Sequence, residues 1–366
     1  MHQPPELSVD PDIRRARTIP AAAYTDPALF DRIRDRVFAR SWQIAADRTQ
    51  VRTPRRAHPF TFLDGLIDEP LLLTRDEADN LHCMSNVCTH RGNLVVEQPA
   101  DLSALRCRYH GRRFGLDGTF QSMPEFDEVE GHPGECDNLA HVPVETWGPL
   151  IFVSLDPAFA LDDLVGDMKA RLGWLPMDEF VFDASRSRDY LVQANWALYC
   201  DNYLEGFHIP FVHTGLAEVL DYGAYRTELF RYSSLQLGIA SGGESVFELP
   251  PQSPDHGESI AGYYYWLFPN MMFNFYPWGL SINIVKPLAV DRTRVSYLTY
   301  VWDESRLDQG AGAGLDRVER EDEAIVEVVQ RGVRSRLYDR GRYSPTREQG
   351  VHHFHRLLVE QLDQPE

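Results

Sequence analysis

The stretch from Cys88 to His110 constrains this chain more than any other. It reads Cys88-Thr-His90-Arg-Gly92, and sixteen residues separate His90 from Cys107-Arg-Tyr-His110-Gly111. Thiolate and imidazole are the soft and borderline ligands that suit iron and zinc. Each Cys-plus-His pair straddles one or two residues, the spacing of a tight loop whose two side chains point the same way. Gly92 and Gly111 follow the histidines, where a loop wrapped around a metal needs backbone freedom. Two metals satisfy the set. One zinc ion takes all four ligands in a tetrahedron. A two-iron, two-sulfur cluster takes both cysteines on one iron and both histidines on the other.

The chain around this stretch sorts into three parts. Its 366 residues suffice for two or three domains. Residues 1–41 read as an arm and a helix that packs on the C-terminal domain. Asp26 caps that helix, Pro27 opens it, and Phe30, Ile33, Val37 and Phe38 give it one apolar face. Residues 42–157 read as a small all-β domain, with hairpin turns at Asp64-Gly65 and Asp117-Gly118 and buried strands over 71–74 and 149–153. Residues 158–366 mix helix and sheet, so the fold class is α+β. A helix is expected over 161–172, two strands over 262–278 with a break at Pro269-Asn270, further strands over 281–285 and 294–302, and a long helix over 315–334. The Gly/Ala loop from Gln309 to Gly314 reads as a linker, because Leu315 stands where a dinucleotide-binding loop needs its third glycine.

Chemistry concentrates again between Asn195 and His213. Asp201 and Glu205 are four apart, and Glu205 and His208 three apart, which places them on one helix face. His213 falls off that face, but Pro210 breaks the helix between the two histidines and lets the chain bend His213 back toward His208. Two such histidines need a third ligand to make the facial triad of a non-haem Fe(II) site. In the late helix, Leu315, Val318, Asp322, Ile325 and Val329 recur at spacings of three, four, three and four. Asp322 therefore sits inside an apolar stripe, where a carboxylate is costly unless paired or bound to metal. Pattern alone leaves two readings open, a metal ligand or a buried salt bridge to an arginine. Glu319, Glu321 and Glu323 lie off the stripe and read as a solvated face.

The order C-x-H, then C-x-x-H, resembles the Rieske signature, whereas zinc fingers pair Cys with Cys and His with His. With both motifs present, the chain from about Trp42 onward resembles the α-subunit of the Rieske non-haem iron oxygenases, the ring-hydroxylating family. The resemblance implies a [2Fe-2S] cluster on Cys88, His90, Cys107 and His110, and a mononuclear Fe(II) on His208, His213 and Asp322. It implies a small all-β Rieske domain followed by a helix-grip (START-like) catalytic domain, assembled as a homotrimer. Glu205 matches the acid that, in the family, lies between the two metal centres. There it links the histidine matching His208 to the cluster histidine matching His110 of a neighbouring subunit; the family's commoner Asp is one methylene shorter. Asn202 resembles a polar residue near the iron in some members, and an ordinary helix hydrogen bond is equally open. The runs 326–332, 341–345 and 350–355 are similar to the choline-monooxygenase-like branch. His352, His353 and His355 then read as packing residues and not as a third metal cluster.

The implied reaction is O₂-dependent hydroxylation of a small organic substrate, ending as demethylation where the attacked carbon bears nitrogen or oxygen. With no flavin or nicotinamide site of its own, the chain needs a separate NAD(P)H-dependent reductase or ferredoxin. Nine aromatics lie between Gly262 and Trp278. In the family this sheet lines the substrate pocket, and Tyr265, Phe273 and Phe275 are the candidates here. Aromatic faces suit a quaternary ammonium, held by cation–π attraction, or an aromatic ring. The branch resemblance favours the first. An aromatic-ring dioxygenase is the alternative, and a non-catalytic Rieske electron carrier is the alternative of another class, against which the second ligand set counts. A net charge of −19 disfavours nucleic acid and anionic membrane as partners. No apolar run reaches about eighteen residues and no apolar signal region opens the chain, so a cytoplasmic protein without membrane spans is expected. Arg91, Arg106, Arg108, Arg112 and Arg113 form a local basic patch, in which some arginines guide an acidic electron donor or, equally open, satisfy local carbonyls and carboxylates. Cys83, Cys136 and Cys200 read as small buried hydrophobes.

Overall fold

The computed structural model describes residues 6–213, 221–242, 245–309, 312 and 314–364; Gly310, Ala311 and Ala313 of the expected linker lie outside them. The chain divides into two compact units, Ala39–Ala158 on one side and Met1–Phe38 with Phe159–Glu366 on the other.

The smaller unit is built of short antiparallel sheets. Strands β1 (Gln43–Asp47), β10 (Leu150–Val153) and β9 (Val144–Trp147) make one. A second holds β4 (Leu81–Ser85), β3 (Glu69–Arg75), β2 (Arg56–Phe62) and β5 (Ala100–Asp101), and a third β6 (Leu105–Arg106), β7 (Arg113–Phe114) and β8 (Phe120–Ser122). Asp64-Gly65 turns β2 into β3 and Asp117-Gly118 turns β7 into β8, as the hairpin signals anticipate. Leu72, Met84, Leu105, Phe114 and Leu116 pack in one buried cluster with Cys88 and Cys107, so the core of this unit supports both cysteine loops directly. Burial pushes the Cys83 thiol up to about 12. Cys136 departs from its expected burial: it lies exposed in a short 3₁₀ turn, Glu135–Asp137.

The larger unit centres on an eight-stranded sheet. Its strands are β11 (Val181–Phe182), β12 (Arg188–Val192), β13 (Arg226–Leu229), β14 (Ser233–Ile239), β15 (Ile260–Leu267), β16 (Met271–Tyr276), β17 (Gly279–Ala289) and β18 (Arg292–Val301). The order is β11-β18-β17-β16-β15-β14-β13, with β12 also paired to β18. Among the described residues six α-helices accompany it: α1 (Pro27–Ile33), α2 (Leu161–Leu172), α3 (Trp196–Tyr203), α4 (Ile209–Val212), α5 (Leu315–Val333) and α6 (Gln349–Asp363). The Asp26 side chain accepts a hydrogen bond from Leu29 N at 3.0 Å and caps α1. Leu29 and Ile33 of α1 are buried, with Phe30 only partly covered, and a π-helical turn (Arg34–Phe38) that continues it buries Val37 and Phe38. Arg32 donates to Leu362 O at 2.6 Å and Phe38 meets Trp196 edge-on at 4.9 Å, which ties α1 to α6 and α3.

Strand alternation divides the chemistry of this sheet between two faces. On one face Tyr263 donates to Asp255 Oδ2 at 3.0 Å, and Arg171 of α2 pairs with Asp255 at 2.9 Å and Glu228 at 2.6 Å. On the other, Gln236, Tyr264, Asn274 and Ser281 are successive cross-strand neighbours from β14 to β17. Helices α3 and α5 lie over that second face, beside the cavity described below. Among the described residues no helix is long and apolar enough to cross a membrane.

Candidate metal centres

The site of the larger unit is assembled where α3 ends. The Asn195 side chain accepts from Ala197 N at 3.0 Å and starts α3, and Leu204 closes it. Glu205 to His208 form a turn, and Pro210 sits in the first turn of α4. The helix therefore breaks before Pro210, not at it. A first-turn proline fits, since the N–H it lacks has no intrahelical partner there. Gly206 suits the break: a Cβ on it would stand 2.7 Å from the Tyr225 ring. Asp201 turns away from Glu205 instead of sharing its face. It accepts from Tyr24 Oη at 2.7 Å and lies 2.8 Å from His355 Nε2. His355 also meets Tyr343 Oη at 2.6 Å, and His352 Nε2 lies 2.8 Å from Asp10 O, so these late histidines serve packing.

His208 and His213 flank α4, with rings 5.0 Å apart at 78°. Their Nε2 atoms converge on Asp322 Oδ1, at 3.5 and 2.9 Å, and Asn202 Nδ2 donates to the same oxygen at 2.6 Å. One donor atom from each of His208, His213 and Asp322 lies within 4.8 Å of the others. The outer nitrogens are occupied as well. His208 Nδ1 lies 2.8 Å from Glu205 Oε1, and His213 Nδ1 lies 2.8 Å from Glu321 Oε2. A carboxylate at Nδ1 holds the proton there and leaves the Nε2 lone pair for a metal. Burial lowers the His213 imidazole pKa, but Asp322 and Glu321 raise it by more. Two imidazoles and a carboxylate, oriented this way, fit an octahedral iron with open positions. Asp322 makes no ion pair with an arginine among the described residues; its partners are the two histidines and Asn202.

A cavity adjoins these ligands. Tyr199, Tyr203, Tyr225, Tyr264 and Tyr276 wall it, and His208, His213 and Asp322 border it. Tyr203 donates to Asn274 Oδ1 at 2.8 Å, which holds one wall in place. Tyr265, Phe273 and Phe275, the pocket candidates from sequence, do not line it; the cavity takes their strand neighbours Tyr264, Asn274 and Tyr276. The strands are right and the phase is wrong by one residue. Because β15 and β16 are buried toward both faces and aromatic on both, alternation in the sequence does not say which set looks at the metal site.

The acids of α5 do not form the solvated face that their place beside the apolar stripe suggests. Glu321 holds His213, and Glu319 lines the cavity, so neither belongs to a solvated face. Burial is also the main cause that raises Glu323 to about 7. Conversely Ile325 and Val329 are exposed at 39% and 41%, while Val326, Gln330 and Val333 are buried. The inward face of α5 is rotated by about one position from the apolar stripe. Polar ligation at its start and packing at its end set that rotation, which hydrophobic spacing alone does not encode.

The two loops of the smaller unit share one hydrogen-bond scheme. Cys88 N donates to Asn93 O at 2.8 Å and Gly92 N to Cys88 O at 3.0 Å; Cys107 N donates to Arg112 O at 2.9 Å and Gly111 N to Cys107 O at 3.0 Å. Gly92 and Gly111 take φ of 71° and 79°, which disfavours any side chain. Both cysteines are buried, whereas His110 is exposed and His90 partly so. The imidazole Nδ1 atoms stand 3.2 Å apart. Among the described residues only His208, His213 and Asp322 bring three donor atoms within 4.8 Å of one another, so these four ligands do not close around one ion. An inner thiolate pair and an outer imidazole pair fit a two-iron cluster and not a single tetrahedral zinc. Arg112 is withdrawn from the basic patch: it is buried, sits 4.7 Å over the Phe120 ring and pairs with Asp137. Arg108 pairs with Glu97 at 2.8 Å, while Arg91, Arg106 and Arg113 are exposed.

Residues 173–364 match the ring hydroxylating alpha subunit (catalytic domain) family, and residues 41–133 match the Rieske [2Fe-2S] domain. The chain is 33% identical to chloroplastic choline monooxygenase of Arabidopsis thaliana over 96% of its own length and 85% of that protein. It is 28% identical to the carnitine monooxygenase oxygenase subunit of Escherichia coli strain K12, over 95% and 94%. A solved quaternary ammonium Rieske monooxygenase, described for carnitine oxidation and inter-subunit electron transfer, superposes with a TM-score of 0.76 at 24% identity, covering 97% of each chain. At that identity the likeness speaks for the fold.

Proposed function

Because the chain belongs to the ring-hydroxylating oxygenase α-subunit family, whose members are Rieske non-haem iron oxidoreductases, we propose that it hydroxylates or oxidatively demethylates a quaternary ammonium compound. The observation that carries the substrate class is the cavity wall of tyrosines, Tyr199, Tyr203, Tyr225, Tyr264 and Tyr276, beside the three metal ligands. Aromatic faces attract a methylated cation that can form no conventional hydrogen bond. The names of the choline and carnitine monooxygenase relatives support the same class.

Cys88, His90, Cys107 and His110 would hold the [2Fe-2S] cluster, and His208, His213 and Asp322 the mononuclear iron. When bound, the iron supplies O₂ activation once electrons reach it. The chain's own residues prepare that chemistry. Glu205 and Glu321 keep protons on the outer imidazole nitrogens, and Asn202 steadies Asp322. The tyrosines exclude water and hold the methyl-bearing nitrogen next to the open coordination positions. Electrons come from a separate NAD(P)H-dependent reductase or ferredoxin, to which the exposed Arg91, Arg106 and Arg113 offer a positive surface. The working assembly is a homotrimer, in which Glu205 joins His208 to His110 of the partner subunit.

The test is O₂ uptake by the purified protein with a surrogate reductase and NAD(P)H, substrate by substrate. Choline, carnitine or a betaine should stimulate uptake and yield a hydroxylated or demethylated product. Turnover of simple aromatic acids only would assign the chain to aromatic-ring oxidation instead.

A further inference from the structure

Glu319 is the cavity residue to which the metal site gives no task. It lies on α5, three residues before Asp322, and Leu315, Val318, Glu319 and Asp322 together form the helix face that borders the cavity. Three of the neighbouring acids are engaged elsewhere. Glu205 and Glu321 hold imidazoles, and Asp316 accepts from Tyr190 and pairs with Arg188 at 3.1 Å and Arg320 at 3.2 Å. Among the described residues Glu319 makes no hydrogen bond and no ion pair. Its charge is felt at the phenols of Tyr199, Tyr276 and Tyr297, so the carboxylate stands among the aromatic rings. Tyr276 meets Tyr264 edge-on at 5.9 Å and stacks on Trp278 at 5.3 Å, which makes that corner a rigid aromatic surface. Burial first, then the Asp316 and Glu323 carboxylates, push the Glu319 carboxyl up to about 8. The Arg188 guanidinium opposes that shift without reversing it and is itself paired with Asp316. A half-buried acid whose repelling neighbours and burial outweigh its one nearby cation is unfavourable in its ionised form, and a second cation placed beside it in the cavity relieves the penalty.

We propose that Glu319 is the charge-recognising residue of this cavity: it faces the quaternary nitrogen of the substrate and sets the preference for a cation over a neutral molecule of the same shape. The proposal rests on the quaternary ammonium reading and deepens it. The tyrosine rings fit the methyl groups of either molecule, since dispersion and burial do not distinguish carbon from nitrogen at the centre. A carboxylate in a cavity of low dielectric does distinguish them, because its attraction for a unit charge is strong where water is excluded.

Glu319→Gln keeps the size of the side chain and removes its charge. Binding of choline and of its neutral isostere 3,3-dimethyl-1-butanol is measured by calorimetry on the metal-loaded protein, wild type and variant. Wild type should bind choline more tightly than the isostere. Glu319→Gln should weaken choline by about tenfold or more, equal to about 1.4 kcal/mol, and leave the isostere unchanged. Glu319→Asp should fall between the two. Iron content and the cluster spectrum should match wild type in both variants. Unchanged choline binding in Glu319→Gln, or equal weakening of both ligands, overturns the role of Glu319 while leaving the substrate class standing. A wild type that binds neither ligand, or prefers the isostere, overturns the substrate class and this proposal with it.

Discussion

Glu321 Oε2 lies 2.8 Å from His213 Nδ1, and the next residue of the same helix, Asp322, reaches the opposite nitrogen of that ring at 2.9 Å. Two adjacent acids thus grip one imidazole from both sides. The arrangement fixes the tautomer, the ring plane and the direction of the Nε2 lone pair at once.

Glu321→Gln should therefore weaken the mononuclear site without removing a ligand. Outer partners of ligating histidines are worth roughly 10–100-fold in metal affinity. Competition with a graded series of iron chelators would read that loss, and the cluster absorbance should stay at its wild-type value. Wild-type chelator resistance in the variant would show that Glu321 is a bystander.

Asp322→Ala should act differently. It removes one of three ligands, and the two acids that touch the ligating histidines, Glu205 and Glu321, are already on their Nδ1 nitrogens. Iron should fall from about three to about two per chain, with the two cluster irons and their visible spectrum retained. Turnover should be abolished. Full iron content in the variant would remove Asp322 from the ligand set.

The ease with which these residues are read from sequence differs for physical reasons. Cys88, His90, Cys107 and His110 are close in sequence, and local spacing already fixes their loops. Asp322 stands out because a carboxylate interrupts an apolar stripe, but the stripe leaves ligand and salt bridge open, and the family resemblance is what selects the ligand. Glu321 is not, because an acid beside that stripe looks solvated until the tertiary fold brings His213 to it. Tyr264 and Tyr276 were missed in favour of Tyr265, Phe273 and Phe275 because a strand buried on both faces carries no signal of phase. Glu319 escaped for both reasons, since its surroundings come from α3, β16 and β18.

The smaller unit should show an acid-sensitive link of its own. The Asp137 carboxyl is held below its ordinary value of 3.8 by the Gly134 backbone N–H first and by the buried Arg112 guanidinium next. A carboxyl depressed on folding contributes stability above its unfolded pKa, and that contribution is lost as pH falls through the lower folded value. Urea midpoints should thus decline below about pH 4 more steeply in wild type than in Asp137→Asn. Equal slopes in the two proteins would show that Asp137 is not the group responsible.

Gly206 links the break after α3 to the tyrosine wall. A Cβ there would lie 2.7 Å from Tyr225 Cε1 and 3.1 Å from Cδ1 and Cζ, and Tyr225 borders the cavity. Contacts that short are not tolerated, so Gly206→Ala must displace either the ring or the turn that carries Glu205 and His208. Overpacking of this kind costs roughly 1–3 kcal/mol, and a lowered thermal midpoint should report it. If the ring yields, choline binding weakens while iron affinity stays; if the turn yields, iron affinity falls as well. The double variant Gly206→Ala with Tyr225→Leu separates a clash from a backbone requirement. The smaller side chain makes room for the new methyl, so the double variant should be more stable than the sum of the single effects allows. Strict additivity would mean that the ring is not what the glycine accommodates.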